Sequence, residues 1–486
     1  MTDRELGAGA GQSRVQSDEA FSIETHGVDA IPLEDRHGHA KELFFVWAAA
    51  NTNYVYLILG SLVISFGLGF WPAVVAIVVA HSFYLLLGAA AIPGPKAGTA
   101  TMVVSRSAFG VRGNAPYAFL SWITTVGWEA VFIVVATLAL VQLGGLAHLS
   151  GSLVKIVALV IIVAVTFIVA VFGHATIVLI QRVLTYALGV GVVVLAIFVL
   201  PKSHLGGFHV HAIAAGTPAA TWILAVEVLV AGSAMSWMNY PADYARYLRP
   251  TESSRAVWFW TSLGPIIPAI VISVIGAAAG TAANMTDPVG GLRTLLPTWF
   301  FAVFLVIVIG GAVANNFLNT YSSGMSLLAL RVRVKRSVAV VADGIVATGM
   351  AIYALFVSNF VGSFQNFLAL MVLWIAPWAG VYLASIWIQR NTYDAPGLQN
   401  FRGGPYWYKD GWDPWALIAF AAGVVCAYLF TNATLLRGPL VNAIGGADIS
   451  VFVGLAVSFC LYWALTTRFA KAVHLAAEPS AAAAAE

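Results

Sequence analysis

Carboxyl side chains stand where carboxylates are rarely left. Glu129 and Glu227 each lie inside a long apolar run, and Asp343 lies just inside another. A charge at mid-membrane depth costs about 2.5–3.5 kcal/mol on insertion scales, so such a group needs a partner, a proton or a function. A protonated carboxyl both donates and accepts hydrogen bonds, and intramembrane carboxyls commonly mark proton relays. Glu227 and Glu129 are therefore candidate proton carriers. A neutral glutamic acid bonded to a neighbouring helix suits Glu129 equally well. Asp343 could carry a coupling proton too, but the favoured reading places it at the inner rim, paired with the basic cluster Arg331, Arg333, Lys335 and Arg336. Beside Glu129, the residues Ser121, Thr124, Thr125, Trp128 and Phe132 recur at three- and four-residue spacing. They make one stripe of a helix, either a ligand face or plain packing.

The elements that carry these groups are membrane helices. The chain has 486 residues, 60% of them hydrophobic and 9% charged. That composition describes an all-α integral membrane protein. Twelve apolar stretches are long enough to cross a bilayer, near residues 43–67, 69–92, 115–147, 154–173, 176–200, 220–240, 256–281, 297–330, 337–358, 360–389, 414–434 and 448–468. With both termini placed inside, all Lys and Arg fall in inner loops and tails except Lys155, Lys202, Arg293 and Arg437. This is the positive-inside pattern of a multi-pass protein of the cytoplasmic membrane.

The first and sixth spans are interrupted. The sixth, AVEVLVAGSAMSWMNYPADYARYLR (Ala225–Arg249), places Gly232 and Ser233 among small residues where apolar bulk is expected. The first carries Ala48–Ala50, then Asn51, Thr52 and Asn53. In hydrocarbon a broken helix is tolerated only against protein or a watery cavity. Transporters use such breaks for substrate and ions, because the broken ends offer free backbone groups and helix dipoles. A close-packed interface of small residues is the competing explanation. Interruptions five spans apart point to an inverted repeat. The repeats are then 43–200 and 220–395, joined by an outside loop 201–219. Peripheral spans occupy 396–470, with a structureless inner tail at 1–42 and an inner C-terminal tail at 471–486.

Other classes find little support. Net charge is +3, too weak to argue for nucleic acid. Cys426 and Cys460 lie in apolar runs as small hydrophobes. His204, His209 and His211 fall in an outside loop, where a solvated loop is the simpler reading than a metal chelate. No zinc-protease, paired-acid or nucleophile-elbow motif is present, so no enzyme and no cofactor are expected. No filter-like segment repeats, as a channel would require.

Three segments carry a resemblance. GTATMVVSRSAFGVRG (Gly98–Gly113), PADYARYLRP (Pro241–Pro250) with the helix that follows, and IAPWAGVYLASIWIQRNTYD (Ile375–Asp394) are similar to the nucleobase:cation symporter-1 family, in its purine/cytosine permease branch. The resemblance implies a LeuT-type fold of two inverted five-helix repeats within twelve transmembrane helices. It also implies coupled uptake of a flat heterocycle. It puts Trp128, preceded by Gly127, against that ring, which wants an aromatic face and a few amide or hydroxyl partners. The position four residues on usually carries an amide; here it is Phe132, and Glu129 is the candidate replacement. In GGAVANNFLNTYSSG (Gly310–Gly324), Asn315, Asn316, Asn319 and Thr320 are the implied contacts. Asn315 and Asn316, with Ala48 and Asn51, are also candidate oxygen ligands for sodium. Gln365 and Asn366 offer a further amide pair to the cavity. Arg106, Asp243 and Arg246 read as gate or loop anchors.

The expectation is a symporter importing a purine or cytosine by alternating access, coupled to protons, with sodium coupling as the alternative. Its partners are the heterocycle and the lipid bilayer. The alternative substrates are hydantoin, allantoin and vitamin-like rings.

Overall fold

The apolar runs fold as helices, and they break where small and polar residues interrupt them. The computed structural model describes residues 27–169, 174–212, 216–285, 287, 289–331, 336–358 and 360–469. The expected tails at 1–26 and 471–486 lie outside the described residues. Helix α1 (Glu42–Asn51) and helix α2 (Tyr54–Ser65) meet at a 55° bend. The polar residues at the bend close both ends. Thr52 Oγ1 donates to Ala48 O at 2.6 Å, and Asn53 Nδ2 donates to Ala50 O at 2.7 Å. Asn53 Oδ1 accepts from Val55 N at 2.9 Å, so Asn53 is the N-cap of α2.

Helices α3 (Phe70–Ala97), α4 (Ala115–Leu146), α5 (Ser152–Val169) and α6 (His174–Val199) follow. Helix α7 (Pro218–Ala231) ends at Gly232, as the small-residue run leads one to expect. A single 3₁₀ turn, Met235–Trp237, separates it from the short helix α8 (Pro241–Ala245), which starts on a proline. Then come α9 (Ser254–Ala282), α10 (Thr298–Ala329), α11 (Arg336–Ile352), α12 (Phe360–Ile388), α13 (Pro414–Phe430) and α14 (Ser450–Phe469). Among the described residues, eight helices are long and apolar enough to cross a membrane, or nine with the bent α1–α2 pair as one span. The shorter apolar stretches of α5, α6 and α13 stand where the fourth, fifth and eleventh spans are expected. Large apolar side chains such as Val160, Val193, Val306 and Ile345 face outward, as on a lipid-facing surface.

The helices form two groups. Helices α1, α2, α3, α7 and α9 pack together, and α4, α5, α10 and α11 make the second group. Helix α12 touches both groups, with α13 and α14 against its far side. At the α2–α9 crossing a Cβ on Gly60 would lie 1.9 Å from Ser273 O, so the two backbones meet there without side chains between them.

Residues 27–41, expected as part of a structureless tail, are folded across the helix ends near Gly98 and Tyr247. Ile31 N donates to Gly98 O at 2.9 Å, and His37 N donates to Tyr247 O at 3.1 Å. Buried Arg36 donates through Nη1 to Pro95 O at 2.9 Å. Polar composition hides this strap, because its partners are mainly backbone carbonyls of distant segments.

Candidate substrate site

Trp128 reaches the site from the middle of α4, where the bends of both interrupted spans face it. Around it a cavity is lined by Asn53, Tyr56, Phe132, Gly232, Trp237 and Asn319, with Val55, Ser236 and Tyr240 completing the walls. The walls stand nearly in contact, leaving about 10 Å³, the room of one water. The enclosure is aromatic. Trp128 lies 6.1 Å from Phe132 between ring centroids, tilted by 36°. Phe364 and Phe367, both on α12, meet Trp128 edge to face at 5.9 and 5.6 Å. Trp237 stands edge to face with Trp47 at 5.5 Å and with Tyr240 at 5.8 Å. Trp128 Nε1 is buried with no hydrogen-bond partner, a free donor among the aromatic rings.

Four expected contacts come together here: Trp128, Phe132, Gly232 and Asn319. Asn319 Nδ2 donates to Asn316 Oδ1 at 3.3 Å, and Asn316 Nδ2 donates to Glu129 O at 3.2 Å. Asn316 thus ties α10 to α4 behind the cavity. Thr125 also sits one layer back: its Oγ1 lies 2.7 Å from Ser121 O and 2.9 Å from Tyr240 Oη. Ser233 turns its hydroxyl onto Leu229 O at 2.5 Å.

Asn51 fastens the first break rather than lining the site. Its Nδ2 donates to Trp47 O at 2.8 Å, and its Oδ1 accepts from the hydroxyls of Tyr56 and Tyr84. The expected amide pair of α12 does not line the cavity either. Asn366 Oδ1 accepts from Leu435 N at 3.3 Å in the loop between α13 and α14, and Gln365 is half-buried away from the cavity walls. Phe364 and Phe367 take the inward positions because they flank that pair on the helix.

Glu129 lies outside the cavity lining, fully buried between α4 and α10. One residue after Trp128, it leaves the helix about 100° further round. Glu227 is buried on α7, near Asp448 of the loop before α14, and is not a cavity wall. Asp343 departs from its expected place at the rim. It is fully buried, accepting from Trp122 Nε1 at 2.6 Å and from the Ser323 hydroxyl. Arg331, one of its expected partners, lies over Phe401 at 3.9 Å, and Arg333 and Lys335 lie outside the described residues. Asp343 lies seven residues, about two turns, from the start of α11, where packing against α4 and α10 buries it.

The proposed sodium ligands differ in how they are engaged. Asn51 Oδ1, Asn316 Oδ1 and Ala48 O each accept a hydrogen bond, and Asn315 Oδ1 is buried and unpartnered. Among the described residues no cluster of His, Cys, Asp and Glu could hold a metal ion. The histidines of the outside loop are exposed, consistent with a solvated loop.

Asn53, Tyr56, Ser236, Trp237 and Tyr240 line the cavity without having been singled out as contacts. The signal was present for all but Tyr56, since they belong to the two interruptions themselves. The anchors stand at the same end of the helices as the strap. Arg106 donates to Ala329 O at 2.8 Å, Leu398 O at 3.0 Å and Gln399 Oε1 at 2.7 Å. Asp243 Oδ1 accepts from Thr101 N at 2.8 Å, and Arg246 reaches Gly27 O and Tyr321 Oη at 2.6 and 2.9 Å.

Comparison with known proteins agrees with this architecture. Residues 30–454 match the family described as permease for cytosine/purines, uracil, thiamine, allantoin. A Bacillus subtilis protein named as a purine-cytosine permease is 29% identical over 468 residues, covering 92% of this chain and 96% of its own. A purine-cytosine permease of Emericella nidulans is 25% identical, over 92% of this chain and 88% of its own. The solved structure of a nucleobase-cation-symport-1 family transporter, in a closed conformation with bromovinylhydantoin bound, superposes with a TM-score of 0.73 at 18% identity, over 92% of this chain and 97% of that one. The fold is therefore the LeuT type, and the protein is a multi-pass membrane transporter, not an enzyme. The chain belongs to the cytosine/purine, uracil, thiamine and allantoin permease family.

Proposed function

We propose that this protein imports a nucleobase, a purine or cytosine, by proton-coupled symport with alternating access. The carrying observation is Trp128, held at a cavity between the two interrupted spans by Phe364 and Phe367. A flat, polar ring gains from stacking on such a face, while its edge needs a few amide or hydroxyl partners. Asn319 supplies an amide at the wall, and Trp128 Nε1 a free donor. The relatives named as purine-cytosine permeases support the same substrate class.

The closed cavity supports alternating access: at about 10 Å³ it admits a heterocycle only when its walls part. In this reading α1, α2, α3, α7 and α9 rock against α4, α5, α10 and α11. The protein sits in the cytoplasmic membrane with both termini inside, in accord with the Lys and Arg distribution. Glu129 and Glu227 are the coupling-proton candidates. Another planar heterocycle, such as hydantoin, allantoin or a vitamin-like ring, is the second reading, favoured by Phe132 where an amide is usual.

Uptake into proteoliposomes tests this. Labelled cytosine, adenine and hypoxanthine should accumulate under an imposed pH gradient and not under a sodium gradient. Accumulation of a different ring alone would move the substrate assignment to the second reading.

A further inference from the structure

Glu129 and Asp343 share one dry seam, separate from the cavity. Glu129 is fully buried, and neither of its carboxyl oxygens has a hydrogen-bond partner. Its polar neighbours are Thr320 and Ser323 of α10 and Asp343 of α11. Thr320 Oγ1 is also buried and unpartnered. The Ser323 hydroxyl donates to Asp343 Oδ2, and Trp122 Nε1 holds Asp343 Oδ1 at 2.6 Å.

Among the described residues, no cation balances this seam. Lys155 is used elsewhere, on Leu355 O at 2.7 Å, and Arg331 lies over Phe401. Helix α10 presents no titratable group to it. The further titratable group near Glu129 is Tyr240, whose hydroxyl pairs with Thr125. Two carboxylates in one desolvated seam cannot both stay ionised, so at least one carries a proton.

Depth gives the seam a direction. At 1.5 Å per residue, Glu129 lies about 21 Å along α4 from its start, and Asp343 about 10 Å along α11 from its own. Both helices start on the side assigned above to the cytoplasm. The seam therefore runs from mid-membrane toward the inner rim.

We propose that Glu129, Ser323 and Asp343 form a proton relay inside the α4–α10–α11 scaffold, with Asp343 as its inner station. In the transfer step the Glu129 carboxyl, which makes no hydrogen bond at rest, turns onto Ser323 Oγ and gives it its proton while Ser323 gives its own to Asp343 Oδ2. Glu129 ends as a carboxylate, Asp343 as a carboxylic acid, and the serine hydroxyl is regenerated. Proton and substrate then occupy separate sites joined through α4, where Trp128 and Glu129 are adjacent. The inference rests on the proton-coupled reading and deepens it.

The test compares two activities in proteoliposomes, using whichever base the wild type accumulates. One is uptake driven by an imposed pH gradient; the other is exchange of labelled against unlabelled base with no gradient. For Asp343→Asn, and independently Ser323→Ala, the ratio of driven uptake to exchange should fall at least about tenfold. Asp343→Glu should restore part of the ratio and move the pH midpoint of driven uptake. A wild-type ratio in both Asp343→Asn and Ser323→Ala would overturn the relay. Equal loss of uptake and exchange in both would also overturn it, by showing a structural role. Wild-type uptake driven by sodium and not by protons would instead sink the proton-coupled reading itself.

Discussion

Phe367 meets Trp128 edge to face, ring centroids 5.6 Å apart at 80°, and it does so across Gly127. A Cβ on Gly127 would lie 2.4 Å from the Phe367 ring. The glycine before the tryptophan is thus the space in which α12 holds the tryptophan ring. Gly127→Ala should displace Phe367 and raise the KM for substrate. The double variant Gly127→Ala/Phe367→Ala should be less impaired than additivity predicts, because the clash is gone. Uptake kinetics of the two single variants and the double variant check this.

Trp128→Ala should abolish transport while leaving expression intact. The ring is a cavity wall, and its own indole nitrogen makes no internal bond to lose. Wild-type uptake by that variant would remove Trp128 from the site.

Phe132 stands 6.1 Å from Trp128 and lines the same cavity. Phe132→Ala should raise KM by about 2- to 10-fold, matching the 0.5–1.5 kcal/mol of an aromatic pair. Phe132→Gln should also change the order of preference among bases, since it adds a donor and an acceptor at the ring edge. A competition series against one labelled base reads both effects.

Arg106 joins the loop before α4 to the end of α10 and to the 398–399 loop. Burial, together with the neighbouring Arg331, lowers its guanidinium to about 10, so it stays charged at neutral pH. Arg106→Ala strands buried acceptors and should cost about 1–3 kcal/mol. Arg106→Lys should recover little, because an ammonium lacks the planar fork that reaches several acceptors at once. Unfolding temperatures of the purified variants in one detergent measure both.

The membrane class, the stretches that become helices and the two interruptions were legible without coordinates. Hydrophobic length and charge asymmetry are local properties, and a run of Asn51, Thr52 and Asn53 or of Gly232 and Ser233 weakens a helix wherever it occurs. Trp128 was legible through the segments shared with a known family. What the sequence could not settle was direction. Whether Asn51 faces substrate or Tyr56 and Tyr84, and whether Gln365 or Phe364 points inward, depends on rotation about a helix axis set by packing against other helices. The strap at 27–41 and the burial of Asp343 were hidden for the same reason. Their partners, Gly98, Tyr247, Trp122 and Ser323, are distant in the chain or on another helix, and only the tertiary structure brings donor and acceptor together.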